Sequence, residues 1–254
     1  MDNLLYVTIT DKICLISLVG AIILTTVFIT KRKATPIKIA FFLLFLIGMY
    51  LFIPMKLTLL GFSYQNPSYL QKAIKLSINP YEKRLCYKYL AEIYADDIFY
   101  QDLRDGNKAI ENMERALKGK YEKYPQEATL LAYWYSIKGD EKKVFEITQK
   151  LELKKGIALR NIYIMKDDYK SALETFSENN SIENYLKADL YKKLGNPEAS
   201  KKARETAQKT YNSNMEQMKS RAKRLEYKEE AEKYKSTEAY KSWIISKRQE
   251  YSFK

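Results

Sequence analysis

The chain has 254 residues and a formal net charge of +13, and 30% of its residues are charged. It contains no histidine, which excludes Ser-His-Asp and Cys-His catalytic arrangements and histidine-liganded zinc sites. Its two cysteines, Cys14 and Cys86, fall in segments that should not meet, so a disulfide framework or a thiolate metal site is not expected. With 8 glycines and 6 prolines, the composition disfavours a turn-rich β protein. We therefore expect an all-α protein that is not an enzyme and that needs no cofactor or metal.

The positive charge is unevenly distributed along the chain. Residues 62–200 carry 23 basic and 21 acidic side chains, whereas residues 201–254 carry 15 basic and 8 acidic ones. The middle of the chain is thus nearly neutral and the tail is strongly basic. Any partner that is attracted by positive charge should meet the tail.

Two apolar segments near the start predict a pair of transmembrane helices. Residues 13–30 contain no charge, and at ~1.5 Å per residue they span about 27 Å, close to the thickness of a bilayer core. Residues 37–60 hold a second uncharged run, from Ile39 to Met55, bracketed by Lys38 and Lys56. A cleaved signal peptide does not fit, because the first charged residues are acidic and no small-residue cleavage pattern follows. Residues 1–61 are therefore predicted to be a two-pass membrane anchor.

The link between these segments predicts the orientation. KRKATPIK, residues 31–38, carries four positive charges, and such links lie on the cytoplasmic side. Both termini are then expected outside, and the protein is expected in a bacterial cell envelope. Further lysines follow the second segment, so a cytoplasmic placement of the soluble part stays open.

A short pattern recurs in the middle of the chain. Tyrosines 135, 163 and 191 are separated by equal steps of 28 residues. Each is followed by a turn pair, Gly139-Asp140, Asp167-Asp168 or Gly195-Asn196. Glycine tolerates the left-handed conformation at a helix end, and Asp or Asn caps the next helix. The pattern predicts repeated helix–turn–helix units.

This pattern resembles the tetratricopeptide repeat. DDYKSALETF, residues 167–176, matches it best, and an earlier copy is visible in YLAEIY (89–94) followed by GNKAIENMERALK (106–118). The resemblance implies an α-solenoid over residues 62–210. The chain departs from the family in its shorter step, since family repeats are about 34 residues long. Arg160 and Lys187 also occupy positions that are normally small or apolar.

The resemblance implies a concave groove that binds a segment of a protein partner, and hence a membrane-anchored scaffold that assembles or stabilises a membrane complex. Aromatic rings and polar groups at such positions suit peptide capture. The alternative is that these side chains pack between helices. The expected groove residues are Tyr89, Glu92, Thr129, Tyr133, Asn161, Tyr185 and Asp189.

Residues 211–254 form a basic tail without glycine or proline. It is predicted to be one or two long helices that cap the solenoid, or a basic amphipathic helix on an anionic membrane surface or envelope polymer. Nucleic acid is a less favoured partner, because glutamates are interleaved with the basic residues. The residues expected to contact lipid or polyanion are Arg221, Lys223, Arg224, Lys241, Trp243, Ile244, Lys247 and Arg248.

Overall fold

A computed structural model describes Gly20 and residues 36–95, 103–177 and 181–253. Within these ranges the fold is all-helical, as predicted, with no strand. Its helices are α1 (Pro36–Ser63), α2 (Pro67–Leu76), α3 (Pro80–Ala95), α4 (Gly106–Leu117), α5 (Pro125–Lys138), α6 (Glu141–Lys150), α7 (Ile157–Met165), α8 (Tyr169–Glu174), α9 (Asn184–Lys193), α10 (Pro197–Gln217), α11 (Arg221–Lys233) and α12 (Thr237–Glu250).

One helix in the described part of the chain is long and apolar enough to cross a membrane. It is α1, whose window Leu46–Ser63 has a mean hydropathy of 1.6 and is 19% buried. The predicted first span, residues 13–30, lies outside the described residues except for Gly20. The two-pass anchor therefore stays a prediction, since only its second span lies within the described residues.

The chain divides into two compact units, residues 1–103 with 111–118 and residues 104–110 with 119–254. In the first unit α1, α2 and α3 pack on one another. Gly61 permits a close approach of α2 to α1, because a Cβ there would lie 2.6 Å from Cγ of Leu70. Leu70 and Ala73 on α2 are fully buried, as is Cys86 on α3.

The second unit contains three consecutive helical hairpins, α5–α6, α7–α8 and α9–α10. Just after the first helix of each hairpin comes a residue with a positive φ: 89° at Gly139, 60° at Asp167 and 74° at Gly195. The next residue caps the second helix, since the side chains of Asp140, Asp168 and Asn196 accept bonds from Lys143 N, Ser171 N and Ala199 N. These are the turns that the sequence predicts.

The repeated tyrosines belong to the same turns. The carbonyl oxygens of Tyr135, Tyr163 and Tyr191 each accept a hydrogen bond, 2.9 Å long, from the backbone N–H of the capping residue five positions later. This bond satisfies a carbonyl that the end of a helix would otherwise leave free. The step of 28 residues is thus the distance from one such turn to the next.

The basic tail is divided among three helices. It starts within α10, breaks at Met218–Ser220, continues as α11, and breaks again before Ser236, whose side chain caps α12 by accepting from Ala239 N. Helix α11 is almost wholly exposed and contacts α10 and α12. Helix α12 instead packs against α5, α7 and α9, the first helix of every hairpin. The last helix of the chain therefore covers the side of the hairpins on which the groove was predicted.

Candidate helix-binding face

We call the surface of α5, α7 and α9 that carries α12 the α5–α7–α9 face; Ser136, Ile137, Asn161 and Asp189 mark it. At one end, Asp189 of α9 holds the start of α12. Its Oδ2 accepts hydrogen bonds from the backbone N and from Oγ1 of Thr237, at 2.8 and 2.9 Å. Thr237 is completely buried. A carboxylate at a helix N-terminus satisfies a free N–H and interacts favourably with the helix dipole.

In the middle of the face, a chain of hydrogen bonds connects three helices. Tyr240 of α12 donates its hydroxyl to Oδ1 of Asn161 on α7, at 2.8 Å. The amide of Asn161 donates to Oγ of Ser136 on α5, also at 2.8 Å, and that hydroxyl donates to the carbonyl of Tyr133. Tyr240 and Asn161 are both 0% exposed. Because buried polar groups are costly unless bonded, this chain specifies how α12 sits on the face.

At the other end, Arg248 of α12 contacts the end of α5. Its Nε donates to the carbonyl oxygen of Ile137 at 2.8 Å. The guanidinium lies against Gly139, where a Cβ would be 2.8 Å from Nη2. A cation at this position suits the carbonyl end of a helix.

Two ion pairs border α12. Lys241 lies 2.6 Å from Oδ1 of Asp167, and Glu238 lies 2.5 Å from Nζ of Lys193. The hydrogen bond from Lys193 lowers the pKa of Glu238 to about 2. Both pairs are partly exposed, so each contributes little to stability.

Arg160 on α7 lies beneath the face. It is 3% exposed; its Nη1 is 3.0 Å from Oε1 of Glu183, and its guanidinium lies 3.8 Å from the ring centroid of Phe176. Burial raises the pKa of Tyr240, and burial together with Glu183 raises the pKa of Tyr234. Arg160 departs from the repeat pattern. In the structure it is a buried cation that pairs with Glu183 and stacks on the ring of Phe176.

The predicted groove residues separate into three groups. Asn161 and Asp189 bind α12 directly, and Tyr133 contributes its carbonyl to the buried hydrogen-bond chain. The other groove residues of this unit lie elsewhere: Thr129 is exposed, and Tyr185 donates its hydroxyl to Gln208 of α10 at 2.8 Å.

The remaining two groove residues are on α3, in the first unit. The ring of Tyr89 packs against Phe62 with 4.6 Å between centroids. Glu92 pairs with Lys88 of the same helix at 3.5 Å. Of the predicted groove residues, Tyr133, Asn161 and Asp189 therefore contribute to the α5–α7–α9 face.

The predicted lipid- or polyanion-binding residues of α12 make contacts with other residues of the second unit. Ile244 is 0% exposed, and Trp243 packs against Tyr240 with 5.3 Å between ring centroids. Lys247 pairs with Glu250 at 2.7 Å, while Lys241 and Arg248 make the contacts described above. Contact of Ile244 with a membrane would require α12 to leave the face, whereas Trp243 is half-buried. By contrast, Arg221, Lys223 and Arg224 on α11 are exposed.

Sequence reasoning missed Ser136, Thr237 and the carbonyl of Ile137. A capping signal at Ser236 and Thr237 was present and marks the start of a helix. Nothing local shows which helix α12 will contact, because the bonds join residues 48, 79 and 111 positions apart.

The described residues contain no group of three His, Cys, Asp or Glu side chains that could hold a metal ion. Cys86 is buried, and burial raises its pKa to about 11, so the thiol stays protonated at neutral pH. Comparisons with protein-family models, curated proteins and solved structures find no match.

Proposed function

We propose that this protein is a membrane-attached helical-repeat scaffold that binds a helix of a partner protein on its α5–α7–α9 face and so helps to assemble a membrane-associated complex. The observation that carries the proposal is α12 itself, which that face holds at both ends and in the middle. The apolar helix α1 supports the membrane attachment. The 28-residue step supports a tetratricopeptide-like array.

The contacts of α12 describe the kind of helix that fits. Thr237, Tyr240, Ile244 and Arg248 follow one another at spacings of 3, 4 and 4 residues, which places them on one side of a helix. A matching partner helix begins with a Ser/Thr cap and carries tyrosine, an aliphatic residue and arginine along the same stripe. Each polar member has its own acceptor on the face.

The partner helix takes the place of α12. Helix α12 is connected to the hairpins through α11, whose residues are exposed except for the buried Ala231 and the half-buried Tyr227 and Lys233. Releasing α12 breaks its contacts on the face, the ion pair between Arg104 and Glu250 and the bond from Gly106 N to the carbonyl of Tyr251. The capping bonds of the hairpin turns do not involve α12. Because α12 competes as part of the same chain, a partner binds more weakly to the intact protein than to one whose α12 is loosened.

A peptide-exchange experiment tests this proposal. The probe is a fluorescent peptide of residues 234–253, and the protein is the full-length chain in nanodiscs. Tyr240→Ala in the chain weakens the resident helix without altering the face, so we expect it to bind the peptide at least tenfold more tightly than the wild type does. Adding Asn161→Ala to that variant removes an acceptor on the face and should weaken binding about tenfold, as expected for a lost buried hydrogen bond.

Lys228→Ala provides the matched control, because Lys228 is exposed on α11 and lies away from the face. It should bind the peptide as weakly as the wild type. The proposal fails if Tyr240→Ala retains its helical circular dichroism and yet binds no peptide.

The exposed basic residues of α11 favour a second candidate function, binding of an anionic lipid or envelope polymer. Arg221, Lys223 and Arg224 project from a helix that buries little else. Such binding should weaken steeply as ionic strength rises, whereas helix binding on the face should change little. Replacing all three residues with alanine in the full-length chain in nanodiscs should abolish its salt-sensitive binding of added vesicles that carry acidic lipid, and it should leave peptide exchange unchanged.

A further inference from the structure

The connection between α2 and α3 lies beside the apolar helix α1. Helix α2 follows a turn at residues 64–66 and packs along α1. The connecting residues Ser77, Ile78 and Asn79 then line, together with Tyr50 and Pro54 of α1, a cavity of about 240 Å³. Both α1 residues belong to the uncharged run that ends at Met55. The connection is therefore level with the part of α1 that precedes Lys56.

The surface at this level is apolar and exposed. Ile78 is 69% exposed and Tyr81 is 59% exposed, and on α1 Tyr50 and Ile53 are 49% and 44% exposed. Large apolar side chains thus continue from the candidate span onto the connection. Aromatic and aliphatic side chains in such a position are typical of a membrane interface.

Basic side chains lie next to these apolar residues. Lys75 is exposed in the last turn of α2, and Lys83 and Arg84 follow Tyr81 on α3. The guanidinium of Arg84 lies 5.5 Å from the ring centroid of Tyr81. Lysine and arginine beside an apolar tip can reach lipid phosphates while their stems follow the apolar surface.

Buried hydrogen bonds hold the connection in place. Glu82, 7% exposed, accepts from Oγ of Ser77 at 2.6 Å, and its other oxygen lies 3.2 Å from Oγ1 of Thr58 on α1. Oγ of Ser77 in turn accepts from Asn79 N at 3.1 Å. These bonds therefore fix the position of the connection along the axis of α1.

We propose that residues 77–81 are a second membrane-contacting element, with Ile78 and Tyr81 inserted into the interface where α1 leaves the bilayer. The occupant of this surface is lipid, because the surface continues that of the apolar helix and carries basic residues. Tyr50 precedes Lys56 by about 9 Å of helix, comparable with the depth of the headgroup and acyl boundary. The inference depends on the proposed membrane attachment and is independent of helix binding.

The test measures depth with single labelled cysteines in the full-length chain. Cys14 and Cys86 are replaced by serine, and a cysteine carrying a nitrobenzoxadiazole dye is placed at residue 78, 47 or 68. The protein is reconstituted into vesicles of zwitterionic and acidic phospholipid that contain a lipid with a nitroxide near the headgroup. Ile78 is exposed, so its replacement removes no core contact.

Ile47 reports on the span, because it lies on α1 and is 56% exposed. Ser68 is the matched control: it is exposed at the start of α2, about 15 Å along that helix from the connection. We expect the dye at residue 78 to be quenched at least twofold more than the dye at residue 68.

Two results would overturn the inference. If the dye at residue 47 is quenched and the dye at residue 78 behaves like that at 68, residues 77–81 do not contact lipid, although the membrane attachment holds. If none of the three dyes is quenched, the membrane attachment fails and the inference fails with it. Neither result decides whether the α5–α7–α9 face binds a helix, which the peptide-exchange experiment measures separately.

Discussion

Asn161 shows that sequence can single out a polar residue without revealing which side chains of its own chain it contacts. The repeat pattern puts it on the inner side of its helix, where we expected a protein partner. The side chain is fully buried and bonds to Ser136 and Tyr240 of its own chain. An amide in the core is stable only when its donors and acceptor are used. Asn161 is thus as much a fold-specifying residue as a candidate ligand-binding one.

Tyr240→Phe tests this bond. We expect it to lower the free energy of unfolding by about 1–2 kcal/mol, because the mutation leaves Oδ1 of Asn161 buried without a donor. Asn161→Ala should lower the free energy of unfolding by a similar amount. The double variant should lose less than the sum of the two single losses, as measured by chemical denaturation. Tyr227→Phe is the control and should cost less, since Tyr227 is only half-buried. Strictly additive losses would contradict the coupling between the two side chains.

The hairpin turns are the elements for which local sequence was sufficient. Two glycines and one aspartate adopt positive φ, and each is followed by a capping Asp or Asn. Aspartate is among the few residues other than glycine that adopt this conformation readily, which explains Asp167. The same three positions differ in their tertiary surroundings: Gly195 faces open space and Gly139 faces Arg248.

Gly139→Ala and Gly195→Ala separate the cost of a positive φ, which both positions share, from the contact with Arg248, which only Gly139 makes. Gly195→Ala should lower the free energy of unfolding by about 1 kcal/mol, because alanine is strained at this positive φ. Gly139→Ala should cost roughly 1 kcal/mol more, because the new methyl group displaces Arg248 from the carbonyl of Ile137. Thermal unfolding of the two variants gives the comparison. In an Arg248→Ala background the difference should disappear, and equal losses in the wild-type background would refute the Arg248 contact.

For the whole molecule, the distribution of charge predicts the side of a membrane on which the hairpins would lie. The positive charges of residues 31–38 predict that both termini are outside. Helix α1 agrees with a membrane attachment through its length and composition. Partners in the envelope would follow from an outside location, and cytoplasmic partners from the opposite one.

A cysteine at residue 252, in a variant lacking Cys14 and Cys86, reports the location. Ser252 is exposed near the end of the chain, so a maleimide can reach it. We expect a membrane-impermeant maleimide to label intact cells, with no further labelling after lysis. Labelling that requires lysis would place the hairpins in the cytoplasm and overturn the charge argument.

The sequence by itself predicted the all-helical fold, an apolar helix long enough for a membrane and the positions of the three hairpin turns. These features depend on contacts within a few residues: helix periodicity, the conformational freedom of glycine and the capping of a helix by the next Asp or Asn. The tertiary structure alone decided that α12 occupies the α5–α7–α9 face, that Ile244 is buried and that Arg160 is paired. Each of these results from contacts between residues distant in sequence, whose burial depends on which surfaces meet. Local pattern therefore determined the helices, and long-range packing determined what each helix contacts.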